Sequence, residues 1–271
     1  MPTQADHLLG SSLKSRTILI TGGGSGIGRA VALGCAQRGA RVAVIDIDKD
    51  RAAQVAELAL GNGAEAAVGI ACDVQKEAEV ERACAVCQEQ LGPPYGLVAS
   101  AGIDLSGYVH EMVHEDWRTI LAINLDGVYL TCKHAIWDML AAGRGGSIVL
   151  VSSPAAFVSF AAGGASAYSA SKGGVSALVR CLAVDYARNG IRVNAVVPGP
   201  TETPLMWANV PVEKWDALRQ KICAEVPMGR LADPSEIGLA IAWLLSDESS
   251  YVTGSHLICD GGVLAKGSIS V

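Results

Sequence analysis

The chain is poor in charge and shows no basic excess. Only 18% of its 271 residues are Asp, Glu, Lys or Arg, and the formal net charge is −6. Nucleic-acid surfaces need clustered Lys and Arg, and no basic stripe occurs, so no nucleic-acid partner is expected. Long apolar runs are also missing. Each is broken by Gly or a charge before membrane-spanning length, so no membrane association is expected either. Residues 1–15 lack the apolar core of a signal peptide; residues 1–12 read as a flexible polar lead-in to one domain over 13–271. The histidines, His7, His110, His114, His134 and His256, are too dispersed for a metal site and read as surface or supporting groups. Eight cysteines are present, but Cys84 and Cys87 form the one C-x-x-C, with no second pair to complete a site. They share a helical face with Val80 and Leu91, which indicates packing. The other six lie among apolar neighbours as free buried thiols, and a reducing cytoplasm is the expected location.

Half the residues are hydrophobic, enough for a sizeable core. Apolar runs alternate with amphipathic segments from Thr17 onward, without repeats. Strands are expected near Thr17–Thr21, Arg41–Asp46, Glu65–Cys72, Gly96–Ser100, Ser147–Ser152, Ile191–Val196 and Ser255–Cys259, with helices between them. Short, continuous, β-branched strands suit a parallel sheet covered on both faces. The expected fold is therefore α/β, a single-domain doubly wound Rossmann-like sheet with its ligand site at the carboxyl edge. Asp233-Pro234 with Glu236 reads as a capped helix start. Pro198–Leu231 breaks the rhythm and reads as a substrate lid over 198–231. Pro200, Pro204 and Pro211 prevent one long helix in its first half. Met206, Trp207 and Trp215 would gain burial by closing over a ligand, or by packing on the helix of Trp243 or a neighbouring subunit. Trp117, Trp137 and Trp243 read as core or interface.

Thr21-Gly22-Gly23-Gly24-Ser25-Gly26-Ile27-Gly28 follows the first strand and opens the first helix. Glycines allow a tight turn and close approach of a pyrophosphate to the helix N-terminus. G-x-G-x-x-G fits no register, Gly-Lys-Ser/Thr is absent, and T-G-x-x-x-G-x-G fits through Gly22, Gly26 and Gly28. Asp46 ends the second strand at the distance expected of a ribose ligand. Its carboxylate would accept the 2′- and 3′-hydroxyls and repel a 2′-phosphate, and Ser25 adds no cation; both features favour NAD.

Tyr168 and Lys172 stand four residues apart, one turn apart on one helical face. Ionising a free tyrosine near neutrality costs about 4 kcal/mol, and one ammonium in a partly desolvated site offsets roughly that much. Asp73, Ala101-Gly102, Asn124, Ser153 and Pro198-Gly199 with Thr203 complete an ordered set. This set resembles the short-chain dehydrogenase/reductase family over Leu13–Gly262. The resemblance implies strand order 3-2-1-4-5-6-7, a nicotinamide cofactor, a homotetramer or homodimer, and no metal. It implies Tyr168 as general acid/base, Lys172 lowering its pKa and binding the nicotinamide ribose, and Ser153 polarising the carbonyl. Asn124 would hold a water through its main chain. Gly22, Ser25, Gly26, Ile27, Gly28, Asp46, Asp73, Val74, Ala101, Gly102, Pro198, Gly199, Thr201 and Thr203 would contact cofactor with Tyr168 and Lys172.

Two departures stand out. The family commonly has Asn-Asn-Ala-Gly where this chain has Ala99-Ser100-Ala101-Gly102, so Ser100 would only partly replace a bracing amide. The usual serine position, thirteen before the tyrosine, is Ala155. Ser153 is preferred over Ser152 and Ser166 because it directly follows the strand, which implies a two-residue insertion in Pro154–Ala167. Substrate candidates are Asp104, Ser106, Pro154, Ala155, Phe157, Met206 and Trp207. A small-molecule polyol, sugar or cyclic alcohol fits this lining. A 3-oxoacyl-thioester reductase is the alternative, and a non-catalytic NAD-binding module a further one.

Overall fold

The computed structural model describes residues 13–105, 107–160 and 163–267; the expected lead-in and Ser106 lie outside them. The described residues form a seven-stranded parallel sheet: β1 Thr17–Thr21, β2 Arg41–Asp46, β3 Ala66–Ala71, β4 Pro94–Ala99, β5 Gly146–Val151, β6 Ile191–Pro198 and β7 His256–Cys259. Its order is β3-β2-β1-β4-β5-β6-β7. The helices are α1 Gly26–Ala36, α2 Lys49–Gly61, α3 Glu77–Leu91, α4 His114–Leu121, α5 Gly127–Ala142, α6 Ser166–Tyr186, α7 Pro204–Trp207, α8 Trp215–Glu225 and α9 Pro234–Leu245.

Alternation along each strand divides the core. Ile18, Ile20, Val42 and Val44 face α1, α2 and α9, whereas Leu19, Ala43, Ile45 and Leu97 face α3, α5 and α6. Both strand faces are therefore dry, the condition under which parallel sheets form. Each fully buried Val, Leu or Ile contributes about 1.5–3 kcal/mol relative to exposure. Strand order reverses beside β1, which pairs with β2 on one side and β4 on the other. The crevice there is the ligand position of such sheets.

Local signals behave as their chemistry dictates. Asp233 and Glu236 form a capping box at the start of α9. Cys84 and Cys87 are buried in the core on α3, and burial pushes both thiols up. Three thiols depart from the expected burial: Cys181 is exposed on α6, and Cys223 and Cys259 are only half-buried. Trp137 is 75% exposed on α5, which excludes the core half of its reading and leaves the interface, because that helix turns Cys132, Ala135, Ile136 and Met139 inward instead. No helix among the described residues is long and apolar enough to cross a membrane.

Candidate active site

Because all seven strands run in one direction, the segments after β1 to β6 gather on one edge. Gly22 and Gly26 adopt left-handed φ values of 64° and 50°. A Cβ on Gly22 would lie 2.7 Å from the Ala101 Cα, and one on Gly28 would collide with the Gly22 carbonyl. The loop therefore has the open backbone cradle a pyrophosphate needs, with Ser25 at the N-cap of α1. Ile27 is half-buried against the α1 core. Ser100 donates its hydroxyl to the Thr21 carbonyl at 2.5 Å, tying β4 to β1 where the family's amide is missing.

Asp46 is buried at the end of β2, and its carboxylate accepts the Gly24 N–H at 2.9 Å and the Asp48 N–H at 3.0 Å. Oδ2 thus faces the glycine loop, while Oδ1 is held by the turn that leads into α2. Asp73 accepts the Gln75 N–H at 3.1 Å, and Val74 is buried against Gly127. Gly199 packs on Asp260, Thr201 donates to the Gly199 carbonyl at 2.8 Å, and Thr203 caps α7. The position of a Gly26 Cβ lies 3.3 Å from Thr203 Cγ2, so the β6 loop meets the phosphate loop.

Tyr168 and Lys172 project from α6 to the same edge, with Lys172 Nζ 5.5 Å from the Tyr168 ring centre. Burial around the phenol pushes its pKa up to about 12; a hydrogen bond with Ser153 lowers it and the Asp104 charge raises it. Burial holds the Lys172 ammonium down to about 8, and Nζ donates to the Val151 carbonyl at 2.9 Å. Ser152 points elsewhere: its hydroxyl lies 2.8 Å from Ser176 Oγ. Of the competing serines, Ser153 has the hydroxyl that meets Tyr168.

Asn124 is fully buried in a π-helical turn, Ala122–Asp126, between α4 and α5. Its amide clamps one residue, accepting the Ile103 N–H at 2.9 Å and donating to the Ile103 carbonyl at 2.8 Å. It also donates to Ser171 Oγ at 3.3 Å, and Ser171 donates to the Tyr168 carbonyl at 2.7 Å. Ser171 was invisible to motif reading, since its role arises from two elements meeting.

The substrate candidates are only partly assembled. Asp104 follows the clamped residue, and its carbonyl accepts Asn209 Nδ2 at 2.9 Å. Ala155 and Phe157 line a cavity of about 460 Å³ with Gly107, Tyr108, Val158 and Ser166, and Tyr168 does not line it. The loops around that cavity are joined: the Gly107 N–H donates to the Gly164 carbonyl at 2.7 Å, and Gly107 bridges Ala165.

In the segment expected to act as a lid, the two tryptophans pack on each other. Trp207 and Trp215 stand 5.4 Å apart between ring centres, and the Arg219 guanidinium lies 4.9 Å from the Trp207 ring. Trp207 Nε1 donates to Glu202 at 2.8 Å, and Arg219 forms a two-point pair with the same carboxylate. A charged fork thus supplies the partner that no sheet offered. Met206 lies half-buried beside Trp207 on α7. Among the described residues, no group of His, Cys, Asp and Glu is arranged to hold a metal ion.

Comparison with known proteins fits this arrangement. The family model described as enoyl-(acyl carrier protein) reductase matches residues 22–264. The cis-4-hydroxycyclohexanecarboxylate dehydrogenase of Sinomonas cyclohexanicum is 42% identical over 95% of this chain and 100% of its own. The (3R)-3-hydroxyacyl-CoA dehydrogenase of Canis lupus familiaris is 36% identical over 93% of this chain and 97% of its own. A crystal structure of a short-chain type dehydrogenase/reductase from Mycobacterium marinum superposes with a TM-score of 0.88 at 33% identity, covering 95% of this chain and 98% of that one. With its sheet order, glycine loop and Tyr168–Lys172 pair, the chain belongs to the short-chain dehydrogenase/reductase family.

Proposed function

We propose that this chain is an NAD-dependent oxidoreductase interconverting a secondary alcohol and a ketone, with Tyr168 as general acid/base. Family membership carries nicotinamide-dependent oxidoreduction of alcohols in general. The observation that carries the finer reading is the meeting of Ser153, Tyr168 and Lys172 on the edge that also bears the glycine cradle and Asp46.

Tyr168 gives its proton to a ketone oxygen or takes one from an alcohol. Lys172, whose Nζ stands 5.5 Å from the Tyr168 ring centre, would as an ammonium oppose the burial that holds the phenol high. Ser153 donates to the substrate oxygen as charge develops there. Asn124 and Ser171 fix the backbone on which Gly102 and Tyr168 are carried. Gly22, Ser25, Gly26, Ile27 and Gly28 would cradle the pyrophosphate, Asp46 the adenosine ribose, and Asp73 and Val74 the adenine. Ala101, Gly102, Pro198, Gly199, Thr201 and Thr203 would border the nicotinamide half. Bound nicotinamide supplies or accepts the hydride at the substrate carbon.

The substrate class we infer is a polyol, sugar or cyclic alcohol, which the cyclic-alcohol relative supports. A 3-oxoacyl-thioester reductase is the second reading, favoured by the hydroxyacyl-CoA relative. That job generally uses NADPH, and Asp46 opposes it. A non-catalytic module would lack one of Asn124, Ser153, Tyr168 or Lys172, and all four are present. We further infer a homotetramer or homodimer, supported by exposed Tyr129 and Trp137 on α5 and Val184 on α6. The free thiols suit a cytoplasmic protein.

The test is NADH formation from a panel of polyols, sugars, cyclic alcohols and hydroxyacyl thioesters. Tyr168→Phe should remove most turnover while leaving NAD binding nearly intact. Ser153→Ala should cost about two to three powers of ten in kcat. A Tyr168→Phe enzyme as active as the wild type would overturn the assignment.

A further inference from the structure

A cation stands beside Asp46, the carboxylate to which the NAD preference is ascribed. Arg51 lies in the first turn of α2, and its Cβ is 2.9 Å from the point where a Gly24 Cβ would stand. Asp46 Oδ2 is 2.8 Å from that same point, so the two side chains meet at one spot on the glycine loop. A guanidinium has a planar fork that matches phosphate oxygens in pairs. Left unpaired, Arg51 would attract the 2′-phosphate that Asp46 repels.

Asp48 supplies the missing partner. Its Oδ2 accepts Arg51 Nε at 2.7 Å, and its Oδ1 accepts the Asp50 and Arg51 N–H groups at 3.1 and 3.0 Å. The Asp48 N–H in turn donates to Asp46 Oδ1 at 3.0 Å, so one continuous chain of bonds runs from the Gly24 N–H through both carboxylates to the guanidinium. The Arg51 N–H and guanidinium hold the Asp48 carboxyl below the usual carboxylate range, and the pair is charged near neutrality. The fold does not need that charge. The Asp48 and Arg51 side chains are 36% and 52% exposed, where an ion pair adds little stability, and an asparagine caps a helix as well as an aspartate does.

We propose that Asp48 is a second cofactor-specificity residue, which by pairing with Arg51 keeps that guanidinium from a 2′-phosphate and so holds the chain to NAD. This inference rests on the reading of Asp46 as the ribose ligand. It divides the task between two carboxylates: Asp46 repels the phosphate directly, and Asp48 denies it a partner.

The experiment measures the dissociation constants of NADH and NADPH by calorimetry on the purified protein, with no substrate present. Asp48→Asn keeps the helix cap and removes the charge, and Asp48→Ser is a second uncharged cap. In both, NADPH should bind roughly tenfold more tightly, the size of one charge-assisted hydrogen bond, while NADH stays within about twofold. Adding Arg51→Ala to Asp48→Asn should abolish the gain. Unchanged NADPH binding in both single variants, or a gain that survives the loss of Arg51, overturns the inference. Asp46→Ala, measured alongside, separates the two readings. If NADPH binding improves in Asp46→Ala and not in Asp48→Asn, the role of Asp48 falls and that of Asp46 stands. If it improves in neither, both fall.

Discussion

Replacing Asp46 by alanine should move cofactor choice from NAD toward NADP. In the wild type the carboxylate is only 9% exposed and held by two backbone N–H groups, so it cannot turn away from an incoming phosphate. A 2′-phosphate brought to about 4 Å meets a repulsion of roughly 4 kcal/mol at an effective dielectric near 20. Solvent around the phosphate makes this an upper value; half of it is still about 30-fold in kcat/KM. Alanine removes that penalty and also removes the acceptor for the ribose hydroxyls of NAD. Arg51 adds to the change, because its Cβ lies 2.9 Å from where a Gly24 Cβ would stand, beside the vacated carboxylate. It now pairs with Asp48 at 2.7 Å. The assay is kcat/KM for both cofactors with one alcohol. The NAD:NADP ratio should exceed about 30 in the wild type and fall to near or below one in Asp46→Ala. A wild type that uses both cofactors equally, or a variant with an unchanged ratio, would refute the electrostatic reasoning.

Lys172→Met should alter how stability depends on pH in the cofactor-free protein. Burial holds the native Lys172 at about 8, below its unfolded value, so below that pH the native state carries the full cost of a buried charge. As pH rises from about 8 to about 10.4 the unfolded chain binds more protons, and the wild type should gain roughly 3 kcal/mol on the methionine variant in urea melts; parallel profiles would contradict this. Sedimentation of the purified chain should give a dimer or tetramer, whereas a clean monomer at micromolar concentration would refute the inferred assembly.

The strands were legible where hydrophobic runs end in glycine or an acidic residue. β1 and β2 match their expected bounds residue for residue. β4 begins two residues earlier than expected because Pro94 stands at the first strand position, where a missing N–H costs the ladder little. Tyr168, Lys172 and the glycine loop could be read because their spacing is local, within one helix or one turn. The remaining site features depend on distant segments meeting. Ser171 links Asn124 to Tyr168 across 47 residues, and Asn209 reaches Asp104 across 105. In the segment 198–231, proline positions indicated what was not helix, but nothing in the spacing joined Glu202 to Arg219, the pair beside which the two tryptophans pack on each other. The π-helical turn at Asn124 has no compositional mark at all.

The junction between Gly107 and Gly164 has a practical meaning for anyone reshaping this scaffold. The strip after β4 and the strip before α6 are bonded to each other, with Gly163 and Gly164 at left-handed φ of 71° and 75° to make the joint. A Cβ on Gly163 would come within 3.1 Å of the Tyr108 ring, so side chains on one strip limit the choices on the other. The two strips therefore behave as one exchangeable cassette: grafting either alone from a relative imports half of a joint. Libraries that vary residues 104–109 and 154–165 together, with the two glycines kept, should retain folded members at a higher rate than libraries that vary either strip separately.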